Sequence, residues 1–133
     1  MLVEHARNVI GIADATHAEY GLGGTPIVTL LACSLSDDEI DVTLAPSSRL
    51  AAVYGSPTAT ERTTCNYGLE PSHAHIVTEG GMVAAATDRT GEVRAVERPD
   101  HPFFVATLYQ PQLSSWPGRP HPIWSGLVAA VLG

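Results

Sequence analysis

The sequence is poor in the features that most often announce a function on their own: basic charge, cysteine and long apolar runs. Its 133 residues carry 7 basic against 14 acidic side chains, a formal net charge of −7. Nonspecific nucleic-acid binding needs a basic footprint that displaces counterions from phosphates, so no nucleic-acid partner is expected, and no anionic membrane surface either. The acidic balance itself reads as a solubility device. The two cysteines, Cys33 and Cys65, are too few for a disulfide scaffold and too far apart for a zinc site. No stretch approaches the roughly 20 apolar residues of a membrane span, and the first residues lack a signal-peptide run. A reducing, cytoplasmic compartment is the expectation, with no metal and no cofactor.

What is present suits one globular domain over residues 1–133. Hydrophobic residues make up 44% and charged residues 16%, enough apolar content for a real core. Leu2, Val3, Ala6, Val9 and Ile10 recur at helical spacing, and Gly11 together with the stretch at 14–16 ends that helix. The glycines of 21–24 mark a loop. Residues 26–31 read as a strand, with Cys33 just beyond it as a packing residue. Ile40, Val42 and Leu44 alternate with Asp41 and Thr43, the pattern of a half-buried strand. Ser47 and Ser48 then cap a short helix through Leu50, Ala51 and Val53 that stops at Gly55. Residues 58–66 are polar but β-branched, an extended segment lining something wet. A short helix is expected over 71–77, and strands over 82–87 and 92–97 flank the hairpin turn Asp88-Arg89-Thr90-Gly91. The continuous apolar run over 103–108 predicts a strand buried on both faces. Residues 122–132 form a closing apolar helix.

The last third carries a resemblance. His101-Pro102-Phe103-Phe104-Val105-Ala106-Thr107, then Pro111, then Pro117-Gly118-Arg119-Pro120-His121-Pro122, resembles the end of the class I glutamine amidotransferase domain of CTP synthases. There a strand HPxFVAxQ leads into FHPE, a proline-rich loop, HP and a final helix. Glu4-His5-Ala6-Arg7-Asn8-Val9 and Asp14-Ala15-Thr16-His17-Ala18-Glu19 resemble the helix and loop that follow that family's nucleophile. Glu61-Arg62 and Tyr67 resemble its ER…RYE segment. The similarity runs through the whole chain in order. It implies an α/β chain: a partial flavodoxin-like three-layer amidotransferase fold with an antiparallel strand extension.

The family hydrolyses glutamine with a Cys–His–Glu triad, and each member must be sought here by position. No residue matches the nucleophile, because the chain starts within the helix behind it. The His and Glu of FHPE correspond to Gln110 and Gln112. A primary amide can hydrogen-bond, but it cannot accept a thiol proton near neutral pH or supply the charge that steadies an imidazolium. Glu19 matches the acid that holds the substrate's amino group. Asn66 stands where the arginine of RYE would pair with the substrate carboxylate, and Gly68 where its glutamate would be. Asn66 loses the charge-assisted bond that arginine gives.

Three functions follow as expectations. The first is a domain that has lost glutamine hydrolysis and binds an amino-acid-like ligand or a partner subunit through Glu4, Glu19, Asn66, Tyr67 and Tyr109. The second is a repurposed enzyme with Glu19, Cys65, Tyr67, Gln110 and Gln112 in its pocket and His5 or His17 as base. The third is an amidotransferase whose nucleophile lies upstream or on another polypeptide. Against Cys65 as a nucleophile stands the usual fate of a lone cysteine, a small buried hydrophobe. Glu4 also reads as an ordinary first-turn helix residue. His73 and His75 read as a surface pair, and His101 and His121, each before proline, as turn-shaping residues. Trp116 and Trp124 read as interface or core residues. If Met1 is the true start, the parent sheet lacks its first strands, and its open edge invites a second copy of the chain.

Overall fold

The computed structural model describes residues 1–21, 23–31 and 38–133; Cys33 lies outside them. The chain opens with α1 (Leu2–His5), which continues as a π-helical turn over Ala6–Ile10 and ends at Gly11 in the left-handed region, φ 91°. Strands β1 (Ala15–His17) and β2 (Thr25–Leu30) run parallel, and β5 (Tyr67–Leu69) adds antiparallel to β2. The second sheet is antiparallel, in the order β4 (Thr58–Thr63), β3 (Asp38–Leu44), β6 (Val83–Thr87), β7 (Val93–Glu97), β8 (Val105–Thr107). Three further helices complete the fold: α2 (Arg49–Tyr54), the single turn α3 (His75–Thr78) and α4 (Pro122–Leu132).

Two cores follow from the two sheets. Alternation in β3 sends Ile40, Val42 and Leu44 inward to meet Leu50, Ala85, Ala95 and Ile123 under α2 and α4. The other face of the long sheet meets α1: Ala6, Ile27, Ile76, Met82 and Val96 form the second core. Ser48 caps α2 as its sequence position suggests, its Oγ accepting from the Ala51 N–H at 2.9 Å. The same helix start is closed from across the sheet. Buried Glu97 accepts the N–H groups of Arg49 and Leu50 at 2.8 and 3.0 Å, placing a carboxylate on the positive end of the helix.

The hairpin turn at Asp88 forms as expected. Asp88 Oδ1 accepts from the N–H groups of Thr90 and Glu92, and Gly91 takes φ 85°. Asp88 Oδ2 accepts from buried Arg94 at 2.8 Å. Burial pushes the Asp88 carboxyl up, but the hydrogen bonds from Thr90 and Arg94 outweigh it and hold the group below its ordinary range.

Two expectations fail. The apolar run over 103–108 yields only the three-residue strand β8, half-buried throughout, at the end of the sheet. Its sequence has the composition of a central strand, but among the described residues it has one neighbour, β7. The helix expected over 71–77 is broken into a 3-10 turn, Pro71–His73, and the single turn α3. Pro71 starts such a turn readily, yet too few residues follow to sustain a helix against the cost of nucleation.

Candidate functional site

Several of the side chains singled out by sequence, Glu4, His17, Tyr109, Gln110 and Gln112, line depressions that share Met1. One groove is bordered by Met1, Tyr109, Gln110, Gln112, Trp124 and Leu127. A second depression runs from Met1 and Val3 to His17 and Thr107, and a third joins Glu4, Arg7, Thr16, His17 and Tyr20. The start of α1 therefore separates Gln110 and Gln112 from Glu4 and His17.

On the Gln110 side the chemistry is neutral. The Gln110 Oε1 accepts from the Thr64 N–H at 2.8 Å, and its own N–H donates to the Arg62 carbonyl at 3.0 Å, so the residue is held from both ends. Gln112 sits exposed on the 3-10 turn Pro111–Ser114. Tyr109 points away from solvent and is 2% exposed.

On the other side aromatic rings gather around His17. Its ring lies 5.0 Å from Tyr67 and 5.5 Å from Tyr20, and its Nδ1 accepts from the Glu19 N–H at 3.1 Å. That bond places the ring proton on Nε2. The Glu19 carboxylate is exposed, 4.0 Å from the same Nδ1. Glu4 is exposed too, accepting from Asn8 at 3.0 Å and pairing with Arg7 at 3.5 Å, the local helix contacts of an ordinary surface residue.

Cys65 is held by local bonds. Its half-buried Sγ–H donates to the Tyr67 carbonyl at 3.5 Å, and its N–H donates to Thr63 Oγ1 at 3.1 Å. Neither histidine expected as its base contacts it. His5 is buried, its Nε2–H shared between the Ile76 and Glu79 carbonyls at 3.1 and 3.0 Å. Asn66 contributes its carbonyl to the Leu31 N–H at 2.7 Å, fastening β5 to the end of β2. Glu19, Cys65 and Gln110 share no hydrogen bond or ion pair with one another.

A tighter constellation lies behind the groove wall. His121 Nδ1 accepts from the Ile123 N–H at 3.3 Å, capping α4, so its proton sits on Nε2 and donates to Glu61 Oε1 and Oε2 at 2.9 and 3.1 Å. The Tyr54 hydroxyl donates to Glu61 Oε1 at 2.6 Å, and with its proton so committed it accepts from the Tyr109 hydroxyl at 3.1 Å. The Glu61 carboxylate is thus the terminal acceptor for an imidazole and a chain of two phenols. Burial, then the neighbouring Tyr109 and Glu61, drives the Tyr54 hydroxyl far above the ordinary tyrosine range. Burial drives Tyr109 up as well, against a smaller opposing effect of its bond to Tyr54. Both shifts favour the neutral phenols that these hydrogen bonds use as donors. Glu61 and His121 were visible in the sequence as parts of the ER and HP patterns. Tyr54 carried no signal, because only the packing of α2 on α4 brings it to them.

His101 repeats the HP device, its Nδ1 accepting from the Phe103 N–H at 3.1 Å. His73 and His75 lie 6.0 Å apart between ring centroids, and no group of three metal-ligating side chains occurs among the described residues. No helix among them is long and apolar enough to cross a membrane.

Known proteins share this architecture. No family model matches the chain. The Trypanosoma brucei CTPS glutaminase domain, solved with bound acivicin, superposes on 98% of this chain with a TM-score of 0.87 and 28% identity, and the match covers 55% of that domain. The mixed α/β architecture, with its antiparallel extension, is thus a class I glutamine amidotransferase fold. CTP synthases of Sphingopyxis alaskensis and Aeropyrum pernix are 31% and 36% identical to it, each alignment covering 98% of the chain. The chain matches the C-terminal glutamine amidotransferase part of CTP synthases. It spans 27% and 26% of the length of those two relatives.

Proposed function

We propose that this amidotransferase-like domain does not hydrolyse glutamine and instead binds an amino-acid-like small molecule beside His17, Glu19, Tyr20 and Tyr67. One observation carries the reading. At the two positions where the resemblance puts a catalytic His and Glu, the chain has Gln110, tied by its Oε1 to the Thr64 backbone, and Gln112, exposed on a turn. An amide in either place accepts no proton near neutral pH. The ammonium of a ligand would find Glu19 and the rings of His17, Tyr20 and Tyr67, where carboxylate and aromatic faces both favour a cation. A ligand carboxylate would meet Asn66 in place of an arginine, so free glutamine is a weak ligand.

The test is ammonia release from glutamine by the purified chain, with its fold verified by circular dichroism, alongside calorimetric titration with glutamine and with simple amines. No release above the uncatalysed rate, with measurable heat from an amine, is the expected result. Steady turnover of glutamine would overturn the reading and favour a working amidotransferase. The contacts of Cys65 give no support to it as a repurposed nucleophile.

A further inference from the structure

Helix α4 is capped by a side chain that can titrate. Its first residue, Pro122, has no N–H, so the first donor of the helix is the Ile123 N–H, which His121 Nδ1 accepts at 3.3 Å. Serine, threonine, asparagine and aspartate are the usual residues at such a position, and none of them gives up its acceptor to a proton near neutral pH. An imidazole can. Because a backbone N–H only donates, Nδ1 carries no proton here and the ring is neutral. Two other histidines use Nδ1 in the same way, His17 on the Glu19 N–H and His101 on the Phe103 N–H, both at 3.1 Å. Of the three, His121 alone is buried and turns its other nitrogen to a buried carboxylate, that of Glu61.

We infer that His121 is a proton-operated latch on the start of α4. With the neutral ring the helix is capped. A proton taken from solvent at Nδ1 occupies the lone pair that holds the Ile123 N–H, and that bond breaks. The Nε2–H keeps its bonds to Glu61, whose carboxylate becomes the counter-ion of an imidazolium. The new positive charge also lies at the positive end of the helix dipole, so it loosens the same first turn that has lost its cap.

The titratable groups facing the ring are Tyr54 from α2, 3.3 Å from Nε2, Glu61 from β4, and Tyr109 behind Tyr54. Helix α4 brings no charged residue of its own. Burial drives both phenols upward, so an added proton goes to the ring or to Glu61. The His121 N–H also donates to Ser115 Oγ at 3.1 Å, which joins the helix start to the turn that carries Gln112. The inference does not depend on a ligand.

Nitrogen-15 NMR of the chain between about pH 8 and about pH 5 tests it. One step is expected, in which His121 Nδ1 becomes protonated while the Ile123 amide moves upfield and loses hydrogen-exchange protection. Trading a bond for an ion pair is read at the helix start and not in the global unfolding midpoint. His121→Asn, a cap that does not titrate, should hold the Ile123 amide constant across the range. Should that variant not fold, Glu61→Gln removes the counter-charge and should move the step to lower pH. A ring already protonated on both nitrogens at the upper limit overturns the inference, as does one that takes no proton down to the lower limit. So does an Ile123 amide that stays fixed while the ring titrates, or one that still moves in His121→Asn.

Discussion

Two neighbouring parts of the molecule treat their polar side chains in opposite ways. Behind the groove, Glu61, His121, Tyr54 and Tyr109 satisfy one another in a buried network. At its rim and on the far side of Met1, Glu19, Glu4 and Gln112 face solvent with few partners. No buried side-chain polar atom lacks a hydrogen bond among the described residues. The difference separates two uses of the same chemistry. A carboxylate that closes every bond inside the protein holds the fold together, whereas one left open to water remains free to meet a ligand.

The comparison is most easily broken at Glu61. Glu61→Ala strands an imidazole and a phenol in a buried site, and should cost about 3–5 kcal/mol in urea unfolding. A loss below about 1 kcal/mol would mean that water replaces the carboxylate and that the network is not a brace.

Acid probes another carboxylate closed by internal bonds, Asp88. Its folded-state pKa is depressed, so its contribution is complete above the unfolded value and disappears as pH falls through the folded one. The urea midpoint should hold between neutrality and about pH 5 and drop below about pH 4, and Asp88→Asn should flatten that drop. An equal drop in the variant would assign it to other groups.

Tyr109→Phe sharpens the contrast at a single bond. It deletes one hydroxyl donor and leaves Tyr54 bonded to Glu61, for an expected loss of about 1 kcal/mol. Any change in amine binding that accompanies it would show that the wall and the rim communicate.

The smallest effect belongs to the rim. Glu19→Gln and Gln112→Ala should each leave stability within about 0.5 kcal/mol of the parent. Glu19→Gln should weaken the heat of amine binding while Gln112→Ala leaves it unchanged. If both leave it unchanged, Glu19 is no part of a ligand site.

Much of this was legible before any coordinates. Alternation at Ile40, Val42 and Leu44, the Ser48 cap, the Asp88–Gly91 turn and the closing helix each rest on contacts a few residues apart, which local pattern encodes directly. The resemblance supplied the rest of the scaffold and pointed to Gln110 and Gln112. Legibility ended where long-range packing decides. Residues 103–108 have the composition of a central strand, yet pairing partners set an edge, and composition does not say how many neighbours a strand will have. Likewise Tyr54, Glu61 and His121 are ordinary in isolation, and only α2 lying on α4 joins them.

By itself, then, the sequence determined the lineage and the local elements, because short-range periodicity and ordered motifs survive in one dimension. Through the resemblance it also motivated the proposal that Gln110 and Gln112 stand where the family has its proton-transfer groups. The tertiary structure decided which polar groups are closed and which are open, for burial and partner geometry depend on segments far apart in the chain.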